Sequence, residues 1–233
     1  MRQVVLDTET TGLEVGKGHR VIEIGCIELA ERRPTGRTFH RYLNPQRRND
    51  EGALAVHGIS DEFLADKPLF ADIADEFIAF IDGAELVIHN AAFDVAFLDA
   101  ELALAGTRHG KLADHAQVVD SLMLAREKYP NQKNNLDALC KRLNVDNSRR
   151  GLHGAMLDAQ LLLEVYLAMT GGQGDLGFAE SEAAVDRVAS APADAGPGLR
   201  LRVVRADAQA QAAHAARLDR VRKASNDRCL WPA

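Results

Sequence analysis

The feature that most narrows the folds open to this chain is a change of hydrophobic period along it. Val4-Val5-Leu6 is a short apolar run, and residues 20–30 alternate apolar with polar, so both read as strands. Residues 37–43 read as a third strand, stopped by Asn44-Pro45. Short links between the three imply an antiparallel meander. From Phe70 the period lengthens, and Ile73, Phe77, Ile78 and Ile81 fall on one helical face. Residues 85–89 form the next expected strand. Asn90 follows as a candidate N-cap for a helix over 91–105. A fifth strand over 117–120, helices over 121–128 and 136–143, and a long helix over 152–169 complete the pattern. Strands first, then strands alternating with helices, predict an α/β domain with a mixed sheet.

A chain of 233 residues suits one or two domains, and its 46% apolar content supports a packed core. Only 5% of residues are aromatic, which argues against a binder built on many exposed rings. The formal charge of −6 makes a protein that coats duplexes with a basic surface a poor fit. The acidity lies in residues 1–172, with 19 basic and 26 acidic side chains, whereas the remaining 61 residues carry 9 and 8. An acidic body that handled a polyanion would need metal ions to invert its local sign. Three widely spaced cysteines, Cys26, Cys140 and Cys229, form no Cys-x-x-Cys pair and suit a reducing compartment. The apolar run at the start is too short for a signal-peptide core, and nothing approaches the roughly 18 apolar residues of a membrane span. The expectation is a cytoplasmic protein.

Asp7 and Glu9 are two residues apart at a strand end, so their side chains share a face. Two adjacent carboxylates raise each other's pKa unless a cation sits between them. Alone, the pair reads more readily as a solvated strand end. Asp94 lies in the first turn of the helix after the fourth strand, a favourable place for any acid. Asp158 lies in the last helix. His153 is five residues before it, about 140° away around a helix, so His153 is expected on the loop entering that helix, flanked by Gly151 and Gly154. Taken as a set, hard oxygen donors without sulfur select Mg²⁺ or Mn²⁺ over zinc. Four carboxylates can hold two such ions roughly 4 Å apart, an arrangement suited to in-line phosphoryl displacement. A histidine near neutrality suits activation of the attacking water.

Three segments carry a family resemblance: Val5-Leu6-Asp7-Thr8-Glu9-Thr10-Thr11-Gly12, His89-Asn90-Ala91-Ala92-Phe93-Asp94 and His153-Gly154-Ala155-Met156-Leu157-Asp158-Ala159. In order and spacing they resemble the exonuclease motifs of the DnaQ-like DEDDh family. The segments Val56-His57-Gly58-Ile59-Ser60-Asp61-Glu62-Phe63-Leu64 and Asp120-Ser121-Leu122, and the ending Cys229-Leu230-Trp231, are similar to the epsilon-type proofreading subunits within it. The resemblance implies a ribonuclease-H-like (exonuclease) fold, with a mixed five-stranded sheet flanked by helices and a flexible C-terminal tail. It implies a 3′→5′ exonuclease that releases nucleoside 5′-monophosphates with two divalent cations, Mg²⁺ or Mn²⁺. By motif match Asp7 would bridge both ions, Glu9 and Asp158 would complete the water-activating site, Asp94 would serve the other ion, and His153 would be the general base. Thr10, Gly12 and Leu13 can line the pocket of the terminal nucleotide, although Gly12 equally suits a turn. His57 and Phe93 can contact substrate or belong to the core. Asn90 is a ligand candidate as well as an N-cap, and Asp120 is a candidate supporting acid.

Beyond residue 172 the composition shifts toward Ala, Pro and Gly. The expected organisation is an exonuclease domain over 1–172, a linker over 173–198 and a polymerase-binding segment over 199–233, with a possible helix at 206–223. Gln173, Leu176 and Phe178 resemble the Gln-x-x-Leu-x-Phe peptide that docks on bacterial sliding clamps, and an extended chain would set Leu176 and Phe178 on one face. The segment over 199–233 resembles the part of epsilon-type subunits that holds the polymerase, which makes Leu230 and Trp231 the candidate polymerase contacts. A lone terminal Trp is costly to leave in water, and the alternative is that it folds back on its own domain. The implied partners are DNA with a single-stranded or frayed 3′ end, the alpha subunit of DNA polymerase III, the sliding clamp (beta subunit) and a small theta-like subunit, with no membrane. The alternatives are a DEDDh RNA 3′→5′ exonuclease and a non-catalytic scaffold between polymerase and clamp.

Overall fold

The alternating segments pair into one sheet in the computed structural model, which describes residues 1–148, 150–171 and 206–225. Strands β1 (Arg2–Thr10), β2 (Val21–Ala30) and β3 (Arg33–Tyr42) form the antiparallel meander. β4 (Glu85–Ile88) and β5 (Gln117–Asp120) add in parallel on the other side of β1, giving the order β3-β2-β1-β4-β5. The parallel half needs crossovers, and helices supply them. In chain order the helices are α1 (Glu51–His57), α2 (Asp61–Leu64), α3 (Phe70–Ile81), α4 (Ala91–Ala105), α5 (Ser121–Lys128), α6 (Leu136–Leu143) and α7 (Ala155–Thr170).

The period of two in β1 divides the core. Val4 and Leu6 face one layer with Phe77 of α3 and Phe97 of α4. Val5 faces the other, with Leu139 of α6 and Ala159 and Leu162 of α7. The same alternation carries past Leu6, so Asp7 and Glu9 fall on the α7 side while Thr8 falls on the α4 side. A site at the end of β1 can therefore draw side chains from both layers. That end is also where β4 and β5 finish, the usual place for function in an open sheet with parallel strands.

Three boundaries differ from the sequence pattern by three residues or more. β1 runs on through the acids to Thr10, because β2 pairs with it until the register shifts between Glu9 and Thr10. β3 begins at Arg33 rather than 37. Glu31 and Arg32 both adopt positive φ (48° and 63°), making a two-residue hairpin turn between Ala30 and Arg33. The first half of β3 is exposed and carries no apolar signal. α7 begins at Ala155 rather than 152, since Gly154 is extended and the His153 N–H donates to the Val56 carbonyl at 3.1 Å. His153 is thereby on the entering loop, as its spacing from Asp158 requires.

Considered by itself, the distal part contains α8 (Ala208–Ala224), capped by Asp207, whose side chain accepts from the Ala210 N–H at 2.8 Å. Gln173, Leu176, Phe178, Leu230 and Trp231 lie outside the described residues. No helix among the described residues is long and apolar enough to cross a membrane.

Candidate active site

All five residues of the acid–histidine set line one open cleft of about 660 Å³ at the end of β1. β1 supplies Asp7 and Glu9, the first turn of α4 supplies Asp94, and α7 supplies Asp158 from its own first turn. Asp94 arrives from the opposite layer and is tied to β1 by the Thr8 hydroxyl, which donates to its Oδ1 at 2.7 Å. Ligand atoms of Glu9, His153 and Asp158 all lie within 4.8 Å of one another. Asp94 and Asp158 are buried, whereas His153 stands at the mouth with 44% of its side chain exposed.

The electrostatics follow from this crowding. Burial, then repulsion from Asp94, Asp158 and Glu9, pushes the Asp7 carboxyl well above its ordinary range. Burial and the charge on Asp158 push Glu9 up to about 8. Burial pushes Asp94 up to about 7 against the hydrogen bond from Thr8, which favours its charged form. Three acids held above their ordinary values in one cleft are what a positive charge placed among them would relieve. The donors are carboxylate oxygens and one imidazole nitrogen, so the residues present fit a hard divalent cation.

A second cleft of about 420 Å³ adjoins the first, sharing Thr8, Glu9 and Phe93. Thr10, Gly12, Leu13 and His57 line it, with Val56. Its walls are largely apolar, and Leu13 is strongly exposed. Thr10 is buried and its hydroxyl donates to the Gly12 carbonyl at 2.7 Å, so it holds the turn. A Cβ at Gly12 would collide with the His19 imidazole, so only glycine lets the loop close there. The Ile59 N–H donates to His57 Nδ1 at 3.0 Å, which puts the ring proton on Nε2, and that buried atom has no partner.

Asn90 occupies the N-cap position of α4 without capping it. Its backbone is left-handed (φ 66°), a conformation Asn tolerates, and its side chain makes no cap bond. Asp120 caps α5, accepting from the Leu122 N–H at 2.8 Å, and also accepts from the Asn90 N–H at 3.3 Å. It therefore braces the turn that delivers Asp94.

Two charged residues that the sequence reading passed over support this set. Arg150 binds Asp158 through Nε at 2.7 Å and a terminal nitrogen at 2.6 Å. Glu23 of β2, buried, accepts from the Ala155 N–H at 3.0 Å and pairs with His40 Nε2 at 2.7 Å, so it anchors the first turn of α7. The only signal for Arg150 in the sequence is a basic residue three positions before His153. Glu23 could have been found from its place across the β1–β2 pair from Glu9.

Comparison with known proteins places the chain in a family. The RNase_T exonuclease family matches residues 4–166. The DNA polymerase III subunit epsilon of Escherichia coli strain K12 is 51% identical over an alignment of 244 residues that covers all of this chain and 98% of that protein. That of Haemophilus influenzae is 54% identical over 185 residues, 78% of this chain and 72% of that one. Among solved structures, exonuclease X in complex with 5′ overhanging duplex DNA superposes with a TM-score of 0.59 at 23% identity, covering 74% of this chain and 93% of that one. At that identity the likeness speaks for the fold alone.

Proposed function

Because the chain belongs to the exonuclease family and, within it, to the epsilon subunits of DNA polymerase III, 3′→5′ exonucleases of replication proofreading, we propose a residue-level account of how it does this work. The observation that carries the account is the convergence of Asp7, Glu9, Asp94, Asp158 and His153, from three separate stretches of chain, on one cleft.

Asp7, Glu9, Asp94 and Asp158 would hold two divalent cations, Mg²⁺ or Mn²⁺, which when bound supply Lewis-acid stabilisation of the charge that builds on the phosphodiester oxygens. His153, at the mouth of the cleft, takes a proton from the attacking water. The adjoining apolar cleft receives the terminal nucleoside. Leu13, Val56 and Phe93 pack on it, and the unpartnered His57 Nε2–H offers it a hydrogen bond. Asn90 and Gly12 shape the two rims through their backbones. The substrate is DNA with a single-stranded or frayed 3′ end, since a frayed end reaches the cleft more easily than a paired one. The organisation is a nuclease domain over 1–172, a linker over 173–198 with a clamp-docking peptide (Gln173, Leu176, Phe178), and a segment over 199–233 that holds the polymerase alpha subunit through Leu230 and Trp231. A theta-like subunit and a cytoplasmic replisome complete the setting. Tethering would raise the local concentration of nuclease at a primer end.

The test is release of nucleoside 5′-monophosphate from a single-stranded DNA oligonucleotide, with the matching RNA alongside. Asp7→Asn and His153→Ala are expected to lower turnover about a hundredfold or more while circular dichroism stays unchanged. EDTA is expected to stop the reaction and Mg²⁺ or Mn²⁺ to restore it. Survival of activity in Asp7→Asn within a few-fold would refute the site, and faster hydrolysis of RNA would favour an RNA-processing role.

A further inference from the structure

Arg150 is placed as no bystander would be. Its side chain is only 8% exposed, yet it sits on the loop before α7 with its guanidinium inside the acid cleft. The fork takes both oxygens of Asp158, at 2.7 and 2.6 Å. A third nitrogen donates to Asp137 Oδ1 of α6 at 2.6 Å, and Asp137 is 56% exposed. The nitrogen that binds Asp158 Oδ2 also lies 3.1 Å from His153 Nδ1. A guanidinium can only donate, so in this contact Nδ1 is the acceptor and its lone pair is engaged.

We infer that Arg150 is an internal cation that competes with the divalent ion for Asp158, and that metal binding transfers it toward Asp137. The inference rests on the reading of the acid cluster as a divalent-metal site. Two facts drive it. A cation among Glu9, His153 and Asp158 would stand within a few ångströms of a full positive charge, and like charges at that spacing in a half-buried cleft oppose one another. Asp137, already bound by the guanidinium, offers it a second, half-exposed carboxylate, so leaving Asp158 does not strand a buried charge. One displacement then does two things. It opens both Asp158 oxygens to the ion, and it releases His153 Nδ1. The chain would thus keep Asp158 paired and its imidazole engaged until metal arrives.

The test is Mn²⁺ affinity, measured by calorimetry or electron paramagnetic resonance on the full chain stripped of metal. Wild type, Arg150→Gln and Arg150→Lys are compared. Arg150→Gln, which removes the competing charge, is expected to bind Mn²⁺ about tenfold more tightly. Arg150→Lys keeps the charge but loses the fork, and is expected to fall between the two. Affinity in Arg150→Gln equal to or below that of wild type would overturn the inference, because the arginine would then be neutral or helpful to the ion. Should Arg150→Gln not fold, the same criterion applies to Arg150→Lys. Wild type that bound no Mn²⁺ at all would remove the metal assignment itself, and the inference with it.

Discussion

Glu9 and Asp94 keep protons that carboxylic acids in water give up near pH 4. Burial and neighbouring acids raise them to about 8 and about 7. From about pH 4 up to those values the native chain binds more protons than the unfolded one, so stability must fall as pH rises through that window. The melting temperature of EDTA-treated protein is therefore expected to drop between about pH 5 and about pH 8. The loss should be on the order of several kcal/mol, since each tenfold change in a group's proton affinity is worth about 1.4 kcal/mol. Mg²⁺ should flatten the profile, and so should Glu9→Gln. A melting temperature that did not vary with pH in EDTA would count against the crowded-acid description. The acids themselves were legible in the sequence because a strand of period two fixes Asp7 and Glu9 on one face. Arg150 was not, because its partners Asp137 and Asp158 come from two different helices and no spacing rule connects them.

Elements deliver these residues through close backbone packing. Gly25 of β2 sits against the start of α7, where an added Cβ would lie 2.5 Å from the Ala155 carbonyl carbon and the Met156 nitrogen. Gly25→Ala must push α7 outward, and with it His153 and Asp158. The expected cost is about 1–3 kcal/mol in urea unfolding. A loss of turnover larger than that of a remote core change of equal cost should accompany it. Phe77→Ala serves as that control. It removes a fully buried ring between Phe39 and Phe70 and is expected to cost about 3–5 kcal/mol, with turnover per folded molecule nearly unchanged. Elements with a strong apolar face, such as α3, were read at their observed limits. α1 was missed because His57 is its only buried residue, leaving no apolar stripe to see. The left-handed Asn90 shows the same limit, since sequence can suggest a cap position but not whether the side chain or the backbone conformation is what the position uses.

At the scale of the whole molecule, an acidic body has to act on an acidic polymer. Residues 1–172 carry 26 acidic against 19 basic side chains, and several of those acids are gathered where the phosphodiester must sit. Bound cations would reconcile the two, and in the proposed organisation the distal segment would keep the nuclease near a primer end. A chain ending at residue 172 is accordingly expected to hydrolyse single-stranded DNA at near the full-length rate. It should also fail to co-purify with the polymerase alpha subunit, as read by size-exclusion chromatography. Retained binding by the shortened chain would move the docking surface onto the nuclease domain.

The most direct measurement of the central claim is anomalous diffraction from crystals of the full chain soaked in Mn²⁺. Two peaks within coordination distance of Asp7, Glu9, Asp94 and Asp158 are the predicted result. An acid cleft with no peak in it, in crystals where Mn²⁺ binds elsewhere, would contradict the account.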